Sequence, residues 1–292
     1  MGHVERDIQK TNREKIIMKI FITTYYKYNN YGTRLQNYAL QEALKSNSKN
    51  TKVQTIYLKN KKDFVKNYIK KFFSFLKSSW KNDTKKKYYF YNFNKKIKFI
   101  KTTNKKLSLL DTEESVFIAG SDQIWSPLHL KNNPQDSNLF FLNFVKKGQK
   151  NSYAPSFGVN ELPKDMINFY KKNLKKFDNM SVREKTGQEI LKSNFNIEAK
   201  VMPDPVFLLS QKEWSKIAKE PKQKKYALVY LLGEQNKDFT ETIKKYCTNN
   251  NLKIITIAGN NIKNKETVVT PEEFIGLIKK ADTVFTDSFH AC

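Results

Sequence analysis

Short apolar runs and amphipathic segments alternate along this chain, and that alternation admits few folds. Lys19–Thr24, Val53–Leu58 and Ser115–Ala119 have the length and apolar content of strands. Between the first two, Leu35, Tyr38, Ala39, Leu40, Ala43 and Leu44 recur at helical spacing over Thr33–Leu44. Farther on, Asn151–Pro155, Met180–Arg183 and Lys200–Met202 are predicted strands. Asp165–Phe177 and Thr186–Ser193 are predicted helices, the latter with Thr186 able to cap it. A second series follows Pro203-Asp204-Pro205. It has strands at Tyr226–Leu232, Leu252–Ala258 and Thr283–Thr286, and helices at Asp238–Tyr246 and Pro271–Lys280. Thr270 suits the N-cap of the last helix and Pro271 its first turn. Strand, helix, strand in succession implies parallel sheets with helical crossovers.

With 292 residues, two such units are expected. Residues 1–17 are charged, lack an apolar stretch and are expected to be a disordered extension, not a secretory signal. The first unit then spans 18–202 and the second 203–292. The second has three strands, about half of a doubly wound domain, and is expected to be incomplete. A basic helical insertion, 60–108, separates the second and third strands. It carries Phe64, Tyr68, Ile69, Phe72, Phe73 and Leu76 with lysines between them. Residues 62–80 therefore suit either an anionic membrane face or ordinary packing on the sheet with a solvated lysine face. The whole chain has the same ambiguity. Its formal charge of +26 fits a polyanionic partner, or merely the Lys, Asn, Ile, Phe and Tyr of A/T-rich codons. No zinc spacing, RNP run or helix-turn-helix signature supports nucleic acid. Two cysteines, Cys247 and Cys292, make no disulfide framework and suit a reducing cytoplasm. No apolar run approaches the roughly 18 residues of a membrane span.

Polar clusters fall at strand ends, where parallel sheets bind ligands. Asn30-Tyr31-Gly32 opens the first helix, and its glycine permits close backbone approach. Gly120-Ser121-Asp122-Gln123-Ile124-Trp125 ends the third strand, with small polar residues before an apolar anchor. Each could equally be a plain turn with a capping side chain. Tyr153-Ala154-Pro155-Ser156-Phe157-Gly158 ends another strand. Ser181-Val182-Arg183-Glu184 places a guanidinium before a helix, where it suits a carboxylate or phosphate, or only a surface pair with Glu184. Asp287, Ser288 and His290 follow the last strand. Of the other histidines, His3 lies in the extension and His129 in an expected surface loop. There is no GxGxxG, Walker loop, HExxH, CxxC or G-x-S-x-G, and three scattered histidines give no metal-ligand spacing.

Together with Asp204-Pro205 and Ser288-Phe289-His290-Ala291, these segments resemble, in order, the polysaccharide pyruvyl transferase family. The resemblance covers residues 18–292. It implies a GT-B-like α/β fold of two Rossmann-like doubly wound domains facing across a cleft, the second apparently truncated. It further implies transfer of pyruvate from phosphoenolpyruvate to sugar hydroxyls as a ketal, in exopolysaccharide, capsule or cell-wall polymer synthesis. The partners implied are phosphoenolpyruvate and a saccharide or lipid-linked saccharide, with no cofactor and no nucleic acid. The place implied is the cytoplasm or the inner membrane face. The catalytic set carried over is His290 as acid/base, Arg183 for the donor and Asp122 for the acceptor. Gly32, Gly120, Ser121 and Ser288 are expected to contact substrate. Family members carry a basic residue shortly before this histidine, where this chain has Ser288. Two other readings fit the residues: a GT-B glycosyltransferase using a nucleotide sugar, and a non-catalytic basic fragment binding nucleic acid or membrane.

Overall fold

The computed structural model describes residues 18–47, 50–59, 82–233, 237–257 and 267–291. Five parallel strands form the first sheet: β1 Met18–Thr23, β2 Thr51–Leu58, β3 Phe99–Thr102, β4 Ser115–Asp122 and β5 Gln149–Pro155. Their order is β3-β2-β1-β4-β5, so both β1–β2 and β1–β4 are parallel neighbours. Strand alternation explains the two cores. Ile20 and Ile22 point to one face, with Val53, Ile118 and Leu40. Phe21 points to the other, with Ile56, Phe117 and Ala119. A parallel sheet covered on both faces needs apolar residues on both, which is why these strands are nearly continuous apolar runs.

A two-stranded parallel pair, β6 Ser181–Val182 and β7 Lys200–Val201, extends the same edge. Serine hydroxyls add to the backbone bonds that join it to β5. Ser152 Oγ donates to Ser181 O (2.8 Å), Ser181 Oγ donates to Ser152 O (2.8 Å), and Ala154 N donates to Ser181 Oγ (3.1 Å). Continued through this pair, the strand order is that of a doubly wound nucleotide-binding unit.

The second unit has a parallel sheet of β8 Tyr226–Tyr230, β9 Lys253–Thr256 and β10 Thr283–Thr286, in the order β10-β8-β9. The helix Pro271–Lys280 starts with the expected cap: Thr270 Oγ1 accepts from Glu273 N and the Glu273 carboxylate accepts from Thr270 N. Two Rossmann-like parallel units thus make a GT-B-like α/β fold.

Helix α1, Tyr31–Ser46, lies between the units, so it is buried on nearly every side. Its apolar residues serve both cores: Leu40 packs under β1, while Tyr31 and Leu35 join Tyr226, Tyr230 and Phe274 of the second unit. Its buried polar residues are used. Gln36 Nε2 donates to Thr24 Oγ1 (2.8 Å), and Gln41 Nε2 donates to Thr55 Oγ1 (2.7 Å).

Two expectations change. The insertion contains a strand, β3, and a helix, Asn82–Phe93, so part of it belongs to the sheet. Its short apolar run, Phe99-Ile100, was hidden among lysines. The basic amphipathic segment 62–80, read as either membrane-facing or packed on the sheet, lies outside the described residues, as does the extension 1–17. The helix Lys185–Phe195 starts earlier than expected, with Glu184 at its N-cap, so Thr186 is inside it and does not cap it. Among the described residues no helix is long and apolar enough to cross a membrane.

Candidate active site

The carboxyl ends of β1, β4, β5 and β6 converge where the last residues of the chain return to the first unit. Four side chains meet there. Asp204 is fully buried, directly after β7 and before the 3-10 turn Pro205–Leu208. Its Oδ1 accepts from Val206 N (3.1 Å). Its Oδ2 takes Ser121 Oγ (3.1 Å), Arg183 Nη1 (3.5 Å) and His290 Nε2 (3.3 Å). A buried carboxylate holding two cations is stable only because it is paired on every side.

His290 enters from the second unit on the short turn Phe289–Ala291 after β10. Its side chain is 11% exposed. The ring lies close against Gly32 in the first turn of α1. A Cβ at Gly32 would fall 2.3 Å from His290 Nδ1, so no residue but glycine leaves room for the imidazole. Nε2 is within ion-pair reach of Asp204 but off the line of a hydrogen bond, and has no other partner among the described residues. Burial pulls the imidazole pKa down. The Asp204 carboxylate, with Asp122 behind it, outweighs burial and holds the pKa above the ordinary histidine value. Burial conversely pushes Asp204 up, but His290, the Val206 N–H and Arg183 bring it below the usual carboxylate range.

Arg183 is 7% exposed, with its guanidinium stacked over the Phe289 ring at 4.4 Å. One turn therefore brings Phe289 to Arg183 and His290 to Asp204. Arg183 also lines a cavity of about 330 Å³ with Gln123, Ser156, Gly158, Glu184 and Thr186. A second hollow of about 360 Å³ lies beyond His290. Its walls are largely apolar, with Leu35, Val206, Trp214 and Ile278, but they also take in Lys279 and His290 itself. The first cavity thus has Arg183 in its lining, and the second has Lys279 beside its apolar walls.

Asp122 ends β4 with φ at 72°, a left-handed conformation that a non-glycine residue adopts at a cost. Its Oδ2 accepts from Thr33 Oγ1 (2.8 Å) and its Oδ1 from Gln123 N (2.9 Å). The first bond ties β4 to the start of α1. Trp125 anchors the turn: it is fully buried, its Nε1 donates to Phe140 O (3.2 Å), and Tyr170 Oη donates to its carbonyl (2.6 Å).

A model of the polysaccharide pyruvyl transferase family matches residues 30–292, which takes in Gly32, Asp122, Arg183, Asp204 and His290. The chain belongs to the polysaccharide pyruvyl transferase family. Membership makes it a transferase by family. No curated protein sequence matches the chain. Among solved structures it is similar to the UDP-GlcNAc 2-epimerase from Neisseria meningitidis bound to UDP-GlcNAc, at 9% identity and a TM-score of 0.42, over 93% of this chain and 78% of that one.

Within this pyruvyl transferase family member, the sequence-derived residues divide by position. His290 and Arg183 meet at Asp204, and Asp122 lies near enough to His290 to favour its charged form. Gly32 meets His290 directly. Gly120 serves strand packing: a Cβ there would lie 2.0 Å from Tyr153 O. Ser121 is fully buried and supports Asp204. Ser288 is 2% exposed in the turn before His290, with its N–H on Thr286 Oγ1 (3.0 Å). None of these four lines the Arg183 cavity. Asp204 is the residue at the centre of these contacts that sequence reasoning did not single out. Asp204-Pro205 was visible as a motif, but an Asp before Pro also suits a plain turn, and only the fold brings it to His290. The expectation for His129 is corrected: it lies on a short helix, Pro127–Asn132, 12% exposed, with Nε2 3.0 Å from Asp136. Among the described residues no His, Cys, Asp and Glu cluster could hold a metal ion.

Proposed function

We propose that this enzyme transfers pyruvate from phosphoenolpyruvate to two hydroxyls of a saccharide, forming a cyclic ketal. The observation that carries the reading is the His290–Asp204–Arg183 contact beside an anion cavity. Phosphoenolpyruvate carries a carboxylate and a phosphate, so it needs a fixed cation. Arg183 supplies one with a planar fork suited to either group. The reaction begins with a proton moving to the methylene carbon. His290 suits that step, because Asp204 and Asp122 favour its imidazolium form.

Protonation leaves positive charge on the carbon that bears the phosphate ester. One sugar hydroxyl adds there, and its proton passes to Asp122. The carbon–oxygen bond to phosphate then breaks and phosphate leaves with its electron pair. The second hydroxyl closes the ketal, and its proton restores His290. The first proton leaves with phosphate, so charges and atoms balance. No oxidant or metal is called for by this sequence of steps.

The acceptor on this reading is a saccharide or lipid-linked saccharide destined for an exopolysaccharide, capsule or cell-wall polymer. The enzyme works in the cytoplasm, and residues 62–80 are the segment that would meet the inner membrane face. Phosphate release from phosphoenolpyruvate, driven by cell-envelope saccharide acceptors, tests the assignment. His290→Ala should lower the rate by about 10²-fold or more, the range for loss of a general acid. A variant that kept its rate would remove His290 from the mechanism.

A further inference from the structure

The acceptor's place is not given by the anion cavity, but the other side of the Asp122-Gln123 turn carries an aromatic wall. The loop between β1 and α1 supplies Tyr25 and Tyr28. Tyr25 Oη donates to Gln123 O at 2.7 Å, which fastens the loop to the turn. Tyr28, His129 and Phe140 pack edge-on to the Tyr25 ring, at 5.3, 4.8 and 5.3 Å between centroids. His129 is itself held by Asp136. Tyr28 is the outermost of these rings, at 49% exposure. Burial, and after it the nearby Asp136 and Asp122 carboxylates, push the Tyr28 phenol up, which places that residue within the field of the site.

An exposed loop tyrosine is ordinary. What sets this one apart is how the loop is held. Arg34 of α1 is 2% exposed, yet its guanidinium meets no carboxylate among the described residues. Nη1 donates to Tyr26 O (2.7 Å) and Nη2 to Tyr28 O (2.9 Å), above the Phe90 ring. Burying a cation without a counter-ion is costly. Here the expense fixes two carbonyls of one loop, and therefore the direction in which Tyr28 projects. Such rigidity is useful where a ring must meet a ligand in a set orientation.

We propose that Tyr28, backed by Tyr25 and fixed by Arg34, is the stacking platform for the acceptor's hexopyranose ring. The proposal rests on the pyruvyl transfer reading and adds the acceptor subsite to it. One face of a hexopyranose presents C–H groups that suit the electron-rich face of a phenol ring, while its hydroxyls project around the rim. A sugar lying on Tyr28 would sit beside the turn to which Tyr25 is bonded, the turn that carries Asp122. The Gln123 side chain, wedged against Gly158, forms the wall of the anion cavity beyond. The donor and the acceptor would then lie on opposite sides of one turn, with Asp122 between them. Recognition through a C–H face and rim hydroxyls fits a neutral hexopyranose, not an anionic polymer.

Saturation-transfer NMR with the full chain and three methyl hexopyranosides, of gluco, galacto and manno configuration, tests this. The expected result is transfer to ring C–H protons of at least one sugar. Tyr28→Ala should weaken it about tenfold, and Tyr28→Trp should retain it, as a flat aromatic surface is what matters. Tyr28 is half exposed, so unchanged thermal melts should accompany all variants. Absence of transfer from the wild type, or equal transfer in Tyr28→Ala, overturns the subsite. Calorimetry with phosphoenolpyruvate on the same samples separates the two readings. If the sugar signal depends on Tyr28 but phosphoenolpyruvate does not bind, the subsite stands and the donor assignment falls. If phosphoenolpyruvate binds and the sugar signal ignores Tyr28, the reverse holds.

Discussion

Asp204 does the most at this site while being the least exposed. Its carboxylate makes His290 basic and holds Arg183 at the edge of the anion cavity. The pH consequences follow from the two shifts. His290 is raised by folding, so its share of stability is complete below the ordinary imidazole range and is lost as pH rises through the raised value. Asp204 is lowered, so its share is complete above the ordinary carboxylate range and is lost as pH falls through the lowered value. Catalysis that needs the imidazolium should therefore fail on the alkaline side. Asp204→Asn keeps the shape and removes the charge, and should move the alkaline limb of a kcat–pH profile to lower pH. An unmoved limb would mean that Asp204 does not set the His290 pKa. His290 and Arg183 could be picked out in the sequence as candidates, because each follows a strand end within a motif resembling the family's. Asp204 was not singled out, because its partners lie 21 and 86 positions away in the chain, and distance along the sequence hides a three-way contact.

At the level of elements, regular periodicity was readable and compensation was not. β1, β2 and β10 announce themselves by apolar runs, and Pro271–Lys280 by Thr270, Pro271 and Glu273. β3 did not, since four residues edged by lysines carry too little pattern for a two-residue period to show. Nor did the serine link between β5 and β6. In a sequence Ser152 and Ser181 look like indifferent polar residues, yet their hydroxyls add to the backbone bonds, Arg183 N to Pro155 O among them, that join this pair to β5. Ser181→Ala removes a donor to Ser152 O and an acceptor for Ala154 N, both buried. We expect a loss of about 1–3 kcal/mol in stability, read from the denaturant midpoint with an unchanged slope.

For the molecule as a whole, the site exists only because the two units are locked together. β1–α1 supplies Gly32, the turn after β7 supplies Asp204, and the second unit supplies His290. Tyr31, at the start of α1, closes the lock. Its ring stacks on Phe274 at 4.4 Å, and its hydroxyl donates to Val269 O (2.8 Å) while accepting from Val269 N (3.3 Å). Both Val269 groups are buried, so Tyr31→Phe should cost about 1–3 kcal/mol in stability and lower kcat through looser placement of His290 against Gly32. A fall in the denaturant midpoint with kcat unchanged would show that the lock is structural alone. The fold class was readable from alternation, but this dependence of one unit's histidine on the other unit's glycine was not, because it is a contact between segments 258 residues apart. The central claim is that this joint site binds phosphoenolpyruvate through Arg183. Isothermal titration with phosphoenolpyruvate, set beside UDP-GlcNAc, tests it without needing the acceptor. The account predicts saturable binding of phosphoenolpyruvate, weakened at least about tenfold in Arg183→Ala, and none of UDP-GlcNAc. Binding of UDP-GlcNAc without phosphoenolpyruvate, or phosphoenolpyruvate binding indifferent to Arg183, would contradict it.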